Sequence, residues 1–196
     1  MKRFITAAAL VIAVLAPALA HASTWAIDTD HSSVSFKVRH LMVSNVKGEF
    51  KKFSGTVTID DSDITRSKVD VTIDAASIDT GVAKRDDHLR SPDFLDAAKF
   101  PTLTFVSKKV ATASDNRLKV TGNLTIHGVT KEVVLDVEGP TTAVKDPWGN
   151  MRRGASATTK INRKEFGLAW NKAMETGGVV VGDEVTISLE VELLKK

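Results

Sequence analysis

From about residue 23 onward the chain has one dominant regularity, a period of two. Apolar and polar side chains alternate through Val69-Asp70-Val71-Thr72-Ile73-Asp74 and through Val185-Thr186-Ile187-Ser188-Leu189-Glu190-Val191-Glu192-Leu193. Shorter runs repeat the pattern at 34–38, 56–60, 103–105, 118–121, 124–126 and 133–137. Side chains on a strand point to opposite faces in turn, so each run reads as an antiparallel strand with one apolar and one polar face. Threonine and valine supply much of the pattern, as β-branched residues suit a half-buried pleated surface. The spacing predicts roughly eight to ten strands with short links, an all-β sandwich or up-and-down barrel. No cysteine is present, so nothing in the fold rests on disulfides or thiolates.

Turn chemistry punctuates the runs. Ser114-Asp115-Asn116 and His127-Gly128-Val129-Thr130 divide residues 101–139 into a three-stranded meander, and Asp146-Pro147-Trp148-Gly149-Asn150 reads as a loop. One stretch breaks the alternation. Residues 81–101, GVAKRDDHLRSPDFLDAAKFP, place Asp86, Asp87 and Arg90 at helical separations. They predict one or two short helices, with Ser91 as a cap, Pro92 at a first helical position, and Leu89, Phe94, Leu95 and Phe100 on the buried side. Such a segment would lie over one opening of a barrel as a lid.

The N-terminus has a different logic. Lys2 and Arg3 precede an apolar run from about Phe4 to Leu15, Pro17 breaks it, and Ala20-His21-Ala22 ends it. That is the layout of a secretory signal peptide, residues 1–22, and the run is short for a membrane span of roughly 20 residues. A periplasmic, soluble protein of residues 23–196, a single domain without a stable membrane anchor, is the expectation. Removing 22 of the 196 residues leaves 174, and with Lys2 and Arg3 go two of the 27 basic residues, leaving 25 against 24 acidic. A mature chain so nearly neutral, with no basic stripe, gives no argument for nucleic acid. A homodimer is compatible with the outside of a barrel, although no exposed apolar stripe marks its interface.

Chemistry-bearing residues are sparse. His31, His40, His88 and His127 form no HxH, HxxxH or HExxH pair, so a metal site would have to be assembled from distant strands. In Asp30–His40, DHSSVSFKVRH, His40 is in phase with Val34, Phe36 and Val38, and His31 with the polar face, so on a regular strand the two rings cannot share an ion or a proton. No GxSxG is present, and the adjacent acid pairs face apart. The stretch Asn162–Asn171, NRKEFGLAWN, reads equally as a bend around Gly167 or as a pocket rim of Asn162, Arg163 and Trp170. The candidate ligand-facing set is the inward phase of the strands: Phe36, Val38, Val57, Ile59, Val71, Ile73, Phe105, Leu124, Ile126, Leu135, Val137, Ile187 and Leu189. A closed sheet of about eight strands encloses either packed side chains or one ligand. Alternation is the same for both.

Ordered blocks along the whole mature chain add a resemblance. Trp25-x-x-Asp28-x-x-His31-Ser32, Gly48-x-Phe50-x-x-Phe53-x-Gly55 and Arg85-Asp86-x-His88-Leu89-x-Ser91-x-Asp93-Phe94 come first. Phe100-Pro101, Gly122-x-Leu124-Thr125-Ile126-x-Gly128-Val129-Thr130 and Asn162-Arg163-x-x-Phe166-Gly167 follow. Together they resemble the YceI-like proteins, also described as periplasmic lipid- or polyisoprenoid-binding proteins. Glu165, where aspartate is more usual, and the absence of tyrosine are the departures. The resemblance implies an extended lipocalin-like antiparallel barrel, with helical turns near its opening and an apolar lumen for a polyisoprenoid or quinone-like lipid. From the sparse chemistry-bearing residues no metal, no other cofactor and no catalysis are expected. With the resemblance, His40 is expected to meet a ligand head group and His31 to cap a turn beside Asp28. The rival readings are an enzyme acting on such lipids through His31, His88 or Arg163, and a stress-response interaction protein with a filled barrel.

Overall fold

The alternating runs become strands that close on themselves. The structure, a computed structural model, describes residues 22–114, 116–175 and 177–196. Apart from Ala22, the predicted signal peptide lies outside the described residues, as does Asp115 of the first meander turn. The strands are β1 (Ala22–His40), β2 (Ser44–Phe50), β3 (Phe53–Asp60), β4 (Lys68–Asp74), β5 (Ile78–Asp79), β6 (Thr102–Ser114), β7 (Arg117–Ile126), β8 (Val129–Glu138), β9 (Val144–Lys145), β10 (Met151–Asn162) and β11 (Val181–Lys195). Among the described residues one α-helix, α1 (Ala83–Arg90), and 3-10 turns at Ile64–Arg66, Ala75–Ser77 and Arg163–Phe166 accompany the strands.

β1 organises the ring. Its first residues pair with β3 (Ala22 opposite Asp60) and its last with β2 (His40 opposite Ser44), so β2 and β3 act as one bent strand. β4 and β5 bend in the same way around the Ala75–Ser77 turn, pairing with β3 and β2 respectively. β4, β6, β7, β8, β10 and β11 follow in antiparallel order, and β11 pairs back onto β1 from Trp25 to His40. The result is a closed antiparallel barrel of eight strand positions, narrowest in its pairing between β8 and β10, where three residue pairs join the ring. The predicted meander is β6-β7-β8, turned at His127-Gly128, both with positive φ as a two-residue type I′ turn requires.

Two irregularities shape the interior. Between Asp28 and Ser33 the register of β1 against β11 jumps, and the extra residues bulge outward. The bulge resets the phase, so Ile27 and Val34 both face the interior although seven residues apart. At Gly122 the opposite device operates: a Cβ there would lie 2.4 Å from the ring of Phe105, so only glycine lets that ring lie flat across β7.

The lid differs from expectation in one respect. Ser91 closes α1 rather than opening a second helix, its backbone N–H and its Oγ both donating to the His88 carbonyl. From Ser91 to Phe100 the chain descends through consecutive turns, which bury Phe94 and Leu95 and leave Leu89 and Phe100 half-buried. The left-handed backbone of Asp96 interrupts any regular helix there.

Candidate functional site

The interior is not completely filled. A void of about 200 Å³ occupies the body of the barrel, walled by side chains from β1, β3, β4, β6, β7, β8, β10 and β11. A second, of about 130 Å³, lies under the lid between Val38, Ile78, Leu89, Phe94, Leu95, Ile161, Leu168, Val181 and Val185. Phe36, Phe50, Leu103, Ile126 and Ile187 belong to both walls, so the two voids adjoin along the barrel. Neither presents polar surface to the space it encloses. At the far end Trp25, Ile59 and Leu193 pack as a separate apolar cluster, with the Arg153 guanidinium stacked 5.1 Å from the Trp25 ring.

Every residue of the inward set predicted from alternation is on these walls. Phe36, Val57, Ile59, Val71, Ile73, Phe105, Leu124, Ile126, Leu135, Val137, Ile187 and Leu189 line the larger void, and Val38 lines the smaller. Wall residues that the inward set left out include Val34, Phe50, Phe53, Leu103, Leu118, Val120 and Ala157. Six of these share a strand and phase with residues already named or sit in an apolar alternation. Ala157 had no such signal, because the middle of β10, residues 155–159, reads as Ala, Ser, Ala, Thr and Thr.

Of the residues expected at a polar rim, His40, Asn162 and Trp170 line neither void. His40 ends β1 opposite Val181 and Ser44 and lines neither void. Asn162 is exposed, and its Oδ1 accepts from the Lys164 backbone N–H, capping the 3-10 turn that follows. Trp170 packs its ring against His88 and Phe94, at 4.9 and 5.2 Å, on the lid rather than on the void wall. Only Arg163 reaches the void, and its role is unlike that of a rim charge. It is 3% exposed, and its guanidinium donates to the carbonyls of Gly182 (2.9 Å), Trp170 (2.9 Å), Val181 (3.2 Å) and Leu168. Burial pushes its pKa down, with Asp183 opposing the shift. Arg163 therefore ties the 167–171 loop to the start of β11, while its aliphatic stem faces the smaller void.

His31 belongs to a separate polar cluster on the bulge. Its Nδ1 lies 2.8 Å from Asp28 Oδ2, and the same oxygen accepts from Arg152 Nη1 at 2.6 Å. Arg152 also pairs with Glu192 and, at 2.7 Å, with Asp146. The His31 and Arg152 bonds hold the Asp28 carboxyl down at about 2, and Asp28 in turn raises the His31 imidazole. Ligand atoms of Asp28, His31 and Glu192 come within 4.8 Å of one another, but the Arg152 guanidinium already supplies the positive charge they face. His88, on the lid, donates from Nε2 to Asp93 Oδ2 at 2.8 Å. His31, His88 and Arg163 thus have three separate sets of partners, and nothing brings them together as one reacting centre.

Known proteins resemble this chain in sequence and in fold. Residues 25–193 match the family model for the YceI-like domain. A UPF0312 protein of Vibrio vulnificus is 40% identical over 198 residues, covering all of both chains. The structure of Burkholderia cenocepacia BcnA superposes with a TM-score of 0.72 at 30% identity, covering 85% of this chain and 98% of that one. The Campylobacter jejuni YceI protein gives 0.69 at 38% identity, covering 80% and 89%. A polyisoprenoid-binding domain from Saccharophagus degradans, at 16% identity and a TM-score of 0.64, covers 88% and 98% and shares the fold. With its family blocks, its closed barrel and these relatives in agreement, the chain belongs to the YceI-like family.

Proposed function

We propose that the protein binds one long-chain apolar lipid, a polyisoprenoid or an isoprenoid quinone, inside the barrel and carries or sequesters it in the periplasm. The observation that supports this most is the pair of adjoining voids, about 200 and 130 Å³, without polar surface inside a closed ring of strands. An apolar cavity of about 150 Å³ stays dry and takes a molecule such as benzene. Two such spaces end to end suit a narrow apolar chain. Each methylene buried contributes about 0.8 kcal/mol, so affinity accumulates along the chain without a head-group contact. A polar ligand would lose its hydration and find no partner on these walls.

The polyisoprenoid-binding domain of the same fold supports the class of ligand. Binding rather than turnover fits walls on which Arg163 is the one ionisable residue, its guanidinium taken up by backbone carbonyls. Periplasmic carriage rests on the N-terminal layout, and no helix among the described residues is long and apolar enough to cross a membrane. Cleavage after Ala22 would cost the barrel only the rung between Ala22 and Asp60.

The test is uptake of an apolar fluorescent probe by purified protein, followed by competition with a polyprenol and with ubiquinone. Saturable uptake reversed by either lipid is expected. No uptake, or uptake unaffected by both, would mean that the interior is a core and not a binding site.

A further inference from the structure

The hairpin between β1 and β2 is built against the usual rules for its turn. The Val43 N–H donates to the His40 carbonyl at 3.1 Å, and the two central residues, Leu41 and Met42, have φ of 49° and 59°. Positive φ at both positions defines a type I′ turn, which favours Asn and Gly because a larger side chain is strained there. Here Leu and Met take the strain while staying partly exposed, with Met42 leaning on Gly178. Leu41 is 39% exposed, Met42 47% and Val43 75%. The Leu41 N–H donates to the Val180 carbonyl at 2.8 Å, and Arg39 Nη2 donates to the Met42 carbonyl at 2.9 Å, so the tip is held in this posture.

Within residues 37–47 the charge is of one sign, with Glu49 and Asp79 beside Lys37 and Lys47 in the adjoining groove. Lys37 on β1 faces Lys47 on β2 across the ladder, with Arg39 opposite Asn45 one step nearer the tip. Like charges opposite each other weaken a strand pair, and no acidic residue lies between Lys37 and Lys47. Among the described residues none of Lys37, Arg39 and Lys47 is in an ion pair, whereas the neighbouring acids Glu49 and Asp183 are held by Lys51 and Lys164. The hairpin also stands at the lidded end. Val38, two residues before its turn, and Val181, opposite His40, are wall residues of the smaller void.

An apolar tip above a collar of unpaired cations has the chemistry of the bilayer interface, where hydrocarbon begins just below anionic head groups. We propose that residues 37–47 dock the barrel on an anionic phospholipid surface, with Leu41, Met42 and Val43 in the acyl boundary and Lys37, Arg39 and Lys47 at the phosphates. The lidded end is thereby presented to the membrane. That purpose rests on the lipid-binding reading above; the docking itself does not.

The experiment is co-sedimentation of the purified protein with vesicles of phosphatidylethanolamine and phosphatidylglycerol, against vesicles of phosphatidylcholine alone. Leu41→Asn with Met42→Gly supplies the residues that the turn prefers, so this variant should melt no lower than wild type. It should bind anionic vesicles about tenfold more weakly, as loss of the inserted apolar surface requires. Lys37→Gln with Lys47→Gln should bind more weakly at low salt and lose most of the salt dependence. Trp148→Ser removes the 81% exposed indole of the loop after β9 and should bind as wild type does.

Equal binding by the tip variant, no preference of wild type for anionic vesicles, or loss of binding in Trp148→Ser would each overturn the proposal. A wild type that ignores vesicles but self-associates through the tip, dissociating in the tip variant, would overturn it in favour of a contact between copies. Probe uptake without vesicles separates the two readings. Uptake intact in a protein that does not dock removes docking alone, and docking without uptake removes the lumen reading alone.

Discussion

Arg163 shows what a single residue does here. Four backbone carbonyls from two segments converge on one guanidinium, and a fork of five donors on a planar group is what satisfies them. Replacing it by methionine keeps the stem against the void and orphans the carbonyls, so Arg163→Met should lower stability by about 3 kcal/mol in urea unfolding. Arg163→Lys should recover little of that, because an ammonium is a point charge without the fork; full recovery would show that charge alone matters. The pair Asp28 and His31 makes a pH statement. Asp28 is held at about 2, below its ordinary 3.8, so its contribution is present above about pH 4 and is lost as pH falls towards 2. The His31 imidazole is raised above 6.5, so its contribution is full below that value and is lost as pH rises through the folded pKa. Wild type should therefore exceed His31→Gln in urea midpoint at pH 5 and lose the advantage at pH 8. An advantage equal at both would mean that the imidazolium plays no part.

At the scale of the elements, α1 is a lid fastened by polar contacts. Its sequence, AKRDDHLR, carries no apolar stripe, with Leu89 its one large apolar side chain. Instead Asp86, 5% exposed, accepts from the Thr80 backbone N–H at 2.9 Å and from Thr80 Oγ1 at 2.5 Å, and Arg90 donates to the carbonyls of Ala76 and Ile78. Asp86→Ala should loosen this helix by about 2 kcal/mol, seen as faster amide exchange across 83–90 while β6, β7 and β8 keep their protection. Uniform loss across the barrel would mean that the lid is part of the core. The strands were legible because one face of each meets the interior, so Val69–Asp74 and Val185–Leu193 state their own period. What could not be read is what departs from that period. The β1 bulge changes phase between Ile27 and Val34 through residues that look like a continuous strand. His40 keeps the phase of Val38, yet lies past the end of either void. Ser91 and Pro92 carry the same signals for a helix stop as for a helix start, and tertiary contacts chose the stop.

For the whole molecule the question is whether the interior is a core or a container. Sequence alternation is identical for both, and only ring closure together with unfilled space distinguishes them. Ala157 is the place to probe this, since it is buried, small and on the wall of the larger void. Ala157→Phe should fill the space with an aromatic ring, reduce probe uptake about tenfold or more, and cost under about 2 kcal/mol of stability, because an existing void receives the added volume. A large destabilisation with unchanged uptake per folded molecule would place the ligand elsewhere. The measurement that bears most directly on the central claim is native mass spectrometry of the protein purified from the periplasm, with the released small molecule identified after organic extraction. The account predicts a mature chain beginning at Ser23 and carrying one adduct of several hundred daltons, an isoprenoid or other long-chain lipid, on the scale of methylene burial argued above. A bare protein mass that takes up neither quinone nor polyprenol on addition would contradict it, and would make the barrel interior a core.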